Sequence, residues 1–117
     1  MAAALHNIFI FVTDIPAAKA FYAGQLGLPV AGENEMMIEF FPGAGTTMTV
    51  ALALQDEARA MTGRHTGITV KVDDLETLCT RLSAEGVTFT MPFESSPWGK
   101  MAVVADQDGN QIRLWSR

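Results

Sequence analysis

Cysteine is nearly absent. Cys79 is the single cysteine among 117 residues, so an internal disulfide is impossible and no Cys cluster exists for zinc, which excludes a stapled secreted scaffold. Basic residues are also few. The 8 Lys and Arg against 13 Asp and Glu give a formal net charge of −5, and the basic residues stand singly, without the positive footprint that a phosphate backbone requires. Nucleic acid is not an expected partner. The longest apolar runs, Ile8 to Val12 and Met101 to Ala105, fall far short of the roughly 20 residues that span a bilayer. The stretch from Met1 to Asn7 has neither a basic n-region nor a cleavable apolar h-region. The expectation is a soluble, cytoplasmic chain with no membrane partner. Neither Gly-x-Ser-x-Gly nor His-Glu-x-x-His occurs, and Pro42-Gly43-Ala44-Gly45-Thr46 lacks the Lys and the following helix of a phosphate loop, so it reads as a hairpin.

What is present is globular. A hydrophobic share of 49% against 18% charged supports a packed core, and the length suits one domain over residues 1–117. Leu5 to Val12 is rich in Ile, Phe and Val, and Thr13-Asp14-Ile15-Pro16 then caps a helix with Pro just inside it. That helix is expected from Pro16 to Gln25, since Ala17, Ala20, Phe21 and Leu26 recur at helical spacing and Gly27 supplies the stop. Strands follow at Pro29 to Gly32, Met36 to Phe41 and Thr47 to Leu54, separated by turn-forming residues. A polar linker, about 55–64, is helical for at most a turn or two. The pattern then restarts. A strand at Gly67 to Val72, a helix capped by Asp73-Asp74 and ended by Gly86, and strands at Val87 to Met91, Lys100 to Ala105 and Gln111 to Trp115 repeat the order. Setting Val12-Thr13-Asp14-Ile15 beside Val72-Asp73-Asp74-Leu75 aligns a tandem repeat of about 60 residues. Both halves read βαβββ, module one about 5–54 and module two about 65–117.

These residues carry a resemblance. Val12-x-Asp14-Ile15, Phe21-Tyr22 and Leu26-Gly27-Leu28, then Val72-x-Asp74-Leu75, Pro97-Trp98-Gly99 and Asp106-x-Asp108-Gly109-Asn110, resemble the vicinal oxygen chelate superfamily. Its members include glyoxalase I, bleomycin-resistance proteins and extradiol dioxygenases. The resemblance covers essentially the whole chain and implies an α+β fold, with tandem βαβββ modules forming an open, cup-shaped eight-stranded sheet and helices on the outer faces. It also implies a metal at the cup floor, held by a His seven residues before each capping Asp and a Glu or Gln in each last strand. Carried onto this sequence, those positions are Asn7, Gly67 and Arg113, with the remaining one somewhere in Thr47 to Leu54, a strand without carboxylate, imidazole or amide. A guanidinium has no lone pair for a cation, so the inherited metal site reads as lost. Rival ligands are His6, His65 and Glu39, for zinc, nickel, manganese or iron.

Strand alternation turns Ile8, Ile10 and Val12 toward the helix and Asn7, Phe9 and Phe11 toward the cup, where Thr49, Ala51, Thr69, Lys71, Gln111, Arg113 and Trp115 join them. Small residues leave volume, aromatics offer stacking faces, and Lys71 and Arg113 supply positive charge. Trp98 stands where the family has a loop over the cup mouth. The flat alternatives are that the aromatics fill the cup or a dimer interface, that Arg113 pairs with Glu39, that the methionines of the strands are core filler, and that Cys79 is an inert buried thiol. Three functions follow: metal-independent binding or sequestration of a small aromatic or acidic compound, a glyoxalase-like lyase or dioxygenase with a displaced metal, or a non-catalytic dimerisation module. A homodimer is expected, because short strands in open modules leave edges exposed.

Overall fold

The computed structural model describes residues 2–117; Met1, at the head of the stretch read against a leader, lies outside them. The chain divides into one unit ending at Thr62 and a second, Gly63–Arg117. Each is a βαβββ module, so the α+β tandem repeat holds, and the eight strands form two four-stranded sheets, neither of them closed.

In the first unit, strand β1 (Asn7–Val12) leads into helix α1 (Ile15–Lys19), and strands β2 (Val30–Glu33), β3 (Met37–Phe40) and β4 (Thr47–Leu52) follow. The sheet order is β1-β4-β3-β2, with β1 parallel to β4 and the other pairs antiparallel. Asp14 caps α1, its Oδ1 accepting from the Ala17 N–H at 3.0 Å, and Pro16 sits where a missing N–H costs nothing. The predicted helix to Gln25 has the right extent, but Ala20–Gln25 is wound as a π-helix, with the Leu26 N–H bonded to the Phe21 carbonyl. The wider turn lets two consecutive large residues, Phe21 and Tyr22, both bury and meet edge to face at 4.8 Å. They pack with Ile10, Val12, Ile38, Phe40, Met48 and Val50, all at 2% exposure or less. Met48 is therefore core, whereas Met36 and Met37 are exposed. The linker holds a short helix α2 (Asp56–Ala60).

In the second unit, strand β5 (His65–Lys71), helix α3 (Leu75–Ala84) and strands β6 (Thr88–Ser96), β7 (Gly99–Ala105) and β8 (Gln111–Ser116) build a sheet in the order β5-β8-β7-β6. Asp74 caps α3, and bonds from the Thr77 hydroxyl and backbone N–H hold its carboxyl below the usual range. Leu75, Cys79 and Leu82 of α3 bury with Val70, Ala102, Val104, Ile112 and Leu114. Burial pushes the Cys79 thiol pKa up, away from the reactive thiolate. Strand β6 runs five residues beyond the expected Met91, through Pro92. It is an edge strand with irregular register at Phe89/Met91 and Met91/Glu94, the setting in which a sheet accepts proline. Among the described residues no helix is long and apolar enough to cross a membrane.

Candidate functional site

In each unit one sheet face packs under its helix, and alternation places the chemically distinctive residues on the other. On the first unit's free face, Asn7 donates from Nδ2 to Thr47 Oγ1 at 2.7 Å and to Thr49 Oγ1 at 3.0 Å. Its Oδ1 is buried without a partner. Thr49 and Ala51 are buried, at 4% and 7% exposure, and Glu39 lies exposed across from Thr49. Phe9 is 44% exposed, its ring 5.8 Å from that of Phe11. Phe11 turns into a small groove with Leu52, Leu54, Ala58 and Met61, so the linker helix engages a residue that the sequence assigned to ligand. His6 precedes β1 and is exposed.

The second unit's face is the more cationic. On β8, Gln111, Arg113 and Trp115 alternate with the buried Ile112 and Leu114; in parallel register, Thr69 stands beside Arg113 and Lys71 beside Trp115. Gln111 is engaged, its Oε1 accepting from the Thr90 hydroxyl at 2.9 Å. Trp115 donates its indole N–H to the Trp98 carbonyl at 3.1 Å. Lys71 Nζ and Arg117 Cζ each stand 6.0 Å from its ring centroid. Arg113 is exposed and has no hydrogen-bond or ion-pair partner among the described residues; the ion pairs there join Lys19 to Glu33, Arg59 to Asp56 and Arg81 to Glu85.

Two placements add what the sequence reading lacked. The register shifts between His65 and Thr69, because Gly67, at φ +74°, takes a conformation open to glycine. Hence His65, not Gly67, sits beside Gln111. It is exposed, and its Nδ1 accepts from the Gly67 N–H at 3.0 Å. The second concerns Trp98. Where the resemblance implied a loop, Pro97 and Trp98 are the two-residue tip of the β6–β7 hairpin, closed by the Ser96–Gly99 pair, and Trp98 is 81% exposed. Arg117, beside Trp115, was missed; its i, i+2, i+4 alignment with Arg113 and Trp115 was the available signal.

A groove of about 690 Å³ in the second unit lies instead between α3 and β6, lined by Glu76, Cys79, Thr80, Phe89, Pro92 and Phe93 among others. Its lining is mainly apolar, with Glu76, Thr80 and Ser83 on the helix side, so its one charged group is acidic where the Arg113 face is cationic. At the positions where the resemblance implies a metal, Asn7 offers one neutral amide oxygen, Gly67 no side chain, with the single imidazole of His65 in its place beside Gln111, and Arg113 a cation. No group of three His, Cys, Asp or Glu converges among the described residues. That donor set does not fit a divalent metal.

A tandem βαβββ chain with chemistry gathered on the helix-free sheet faces defines a class, and the comparisons give its family. A model described as the glyoxalase/bleomycin resistance protein/dioxygenase superfamily matches residues 4–114, and the chain belongs to this superfamily. Among solved structures, a superfamily member from Sphaerobacter thermophilus DSM 20745 is 31% identical over 99% of this chain and 98% of that one, with a TM-score of 0.79. TnmS3, an antibiotic binding protein from Streptomyces sp. CB03234, is 26% identical over 98% of this chain and 96% of its own, also at 0.79. A lactoylglutathione lyase from Agrobacterium tumefaciens, 18% identical over 98% of this chain and 94% of that one, shares the fold at a TM-score of 0.68. No curated protein matches the chain.

Proposed function

We propose that this chain is a metal-independent small-molecule-binding protein that encloses or sequesters an aromatic or acidic compound without reacting it. Arg113 carries the reading: a guanidinium without a partner among the described residues occupies a position that the resemblance gives to a metal-binding carboxylate. It is flanked by Thr69 and lies two residues from the indole of Trp115. A fixed guanidinium can answer the same ligand oxygens as a metal, through a forked pair of hydrogen bonds. The similarity to an antibiotic binding protein supports the same direction. On the second unit's face Thr69, Lys71, Gln111 and Trp98 are the proposed ligand-binding residues; on the first unit's face they are Asn7, Phe9, Thr49 and Ala51, with Phe11 at the margin.

Charge-assisted contacts contribute on the order of 1.5 to 3 kcal/mol each. Arg113→Ala is therefore expected to weaken binding of an aromatic carboxylate chosen by thermal-shift screening by roughly tenfold to a hundredfold. Arg113→Lys restores the charge but not the fork, and recovers only part of the loss. Calorimetric titration of wild type and both variants measures this; equal affinity of Arg113→Ala and wild type would return Arg113 to an ordinary surface role.

Elemental analysis of the purified protein is expected to find no stoichiometric zinc, nickel, manganese or iron. A metal near one per chain, lost in a His6→Ala/His65→Ala double variant, would overturn metal independence and favour a lyase or dioxygenase.

A homodimer belongs to the same proposal. Leu5, Phe9, Leu54 and Met61 of the first unit are each at least 40% exposed, as is Trp98 of the second, and exposed large apolar side chains favour association. Light scattering at micromolar concentration is expected to give twice the 12.6 kDa chain mass. A monomer there would contradict it.

A further inference from the structure

The cations of this chain are unevenly placed. The whole carries 8 basic and 13 acidic residues, yet Lys71, Arg113 and Arg117 gather around one indole on the helix-free face of β5 and β8. None of the three has a carboxylate partner among the described residues. The acid that shares this face is Glu94. It lies opposite Met101, which in turn lies opposite Trp115, so it stands two strand spacings away, about 10 Å. With Glu94 about 10 Å away and Asp73 two residues beyond Lys71, three cations without an ion pair give this face a local excess of positive charge within an acidic protein.

The indole at their centre is locked. Its only polar hydrogen is donated to the Trp98 carbonyl at 3.1 Å, and its Nε1 and Cε2 rest in the space that a side chain at position 99 would fill. No donor is left for a ligand, so Trp115 offers its ring surface alone. Lys71 and Arg117, each 6.0 Å from the centroid, are at the outer limit of cation–π attraction. They hold the ring weakly and are free to turn toward a better anion. Arg113 lies two residues along the strand, roughly 7 Å from Trp115 in Cα position.

We infer that Trp115 with Lys71, Arg113 and Arg117 forms an anion-selective aromatic site, whose occupant is one molecule carrying both a flat ring system and a carboxylate or comparable oxyanion a bond or two from it. The inference rests on the small-molecule-binding reading and sharpens it: neutral and cationic analogues of the same ring are rejected. An anion without a ring loses the stacking, and exposed Lys and Arg alone hold it weakly. A ring without the charge leaves three cations unanswered.

The test uses three probes of one shape: 2-naphthoate, 2-naphthylmethanol and 2-naphthylmethylammonium. They are titrated calorimetrically into the full chain at 20 and 200 mM salt, with the Trp115 indole N–H signal followed by NMR. Naphthoate is expected to bind at least tenfold more tightly than the alcohol, and the ammonium more weakly than the alcohol. Raising the salt is expected to weaken naphthoate several-fold and leave the alcohol unchanged, because only the charged pairing is screened. Lys71→Gln and Arg117→Gln, both at exposed positions where folding is little affected, are each expected to cost naphthoate twofold to fivefold and the alcohol less than that. Equal affinity for naphthoate and alcohol, or tightest binding of the ammonium, overturns anion selectivity while leaving small-molecule binding in place. Failure of all three probes to bind overturns both.

Discussion

Gly99→Ala is expected to lower the melting temperature by roughly 8 to 20 °C. Gly99 opens β7 at a φ of +121°, which residues with a Cβ rarely adopt. A Cβ built there lies 2.5 Å from Trp115 Nε1, 2.8 Å from Trp115 Cε2 and 2.8 Å from the Ser116 carbonyl oxygen. None of these yields easily. The indole is tied to the Trp98 carbonyl, and Ser116 is a buried residue paired with Lys100 in the β7–β8 ladder. Backbone strain of about 1–3 kcal/mol and overpacking of a similar size together suggest a loss of about 2–5 kcal/mol, at roughly 4 °C for each. The two causes separate in a double-mutant cycle. Trp115→Phe removes the nearest colliding atom, so Gly99→Ala is expected to cost less in that background, while the strain and the Ser116 contact persist. Chemical denaturation of the four proteins measures this; a Gly99→Ala protein within 2 or 3 °C of wild type, or a cycle with no coupling, would refute the packing account.

That contact shows where the sequence was legible and where it was not. Both modules could be read because apolar alternation, an Asp cap and a Gly stop agree locally at Asp14 and Asp74, and the structure places both caps where the motif put them. Periodicity says nothing about hydrogen-bond reach, so the π-helical turn at Ala20–Gln25 was hidden behind an ordinary helical pattern. It is visible only once Phe21 and Tyr22 must both bury. The face assignments of Asn7, Arg113 and Trp115 followed from a period of two, and they fail where the period is interrupted: the register shift near Gly67 moves His65 beside Gln111. Gly67 itself was the clue, since an interior glycine marks an irregular strand. The hairpin at Trp98 was hidden for a different reason. Pro97-Trp98 carries no hairpin signal as strong as Asn-Gly, and the turn closes through Ser96 Oγ, which donates to the Gly99 carbonyl and accepts from the Trp98 N–H. Such closure is tertiary information at short range.

The second large effect lies in the other conspicuous turn. Asp106 is 7% exposed, and it is a carboxylate with its acceptors filled from inside the protein. Its Oδ1 accepts from the Asp108 and Asn110 N–H groups, both at 2.9 Å, and its Oδ2 from Asn110 Nδ2 at 3.0 Å. Asn110, 1% exposed, passes the connection on, its Oδ1 accepting from the Gly63 N–H at 3.0 Å. One carboxylate therefore closes the β7–β8 turn and fixes the entry to β5. Asp106→Ala strands several buried donors at once, and because each orphan costs about 1–3 kcal/mol without full additivity, the expected loss is about 3–5 kcal/mol. Asp106→Asn keeps the Oδ1 acceptor but sets one amide NH₂ against another, for an expected loss of about 1–3 kcal/mol. The decisive protein is the exchange Asp106→Asn/Asn110→Asp. Its amide oxygen at position 106 still accepts from the two backbone groups, its Nδ2 donates to the new carboxylate, and the second carboxylate oxygen still accepts from Gly63. Urea denaturation is expected to place the exchange protein well above either single variant. If it is no more stable than Asp106→Asn alone, the pairing assigned to these two side chains is not what holds the turn.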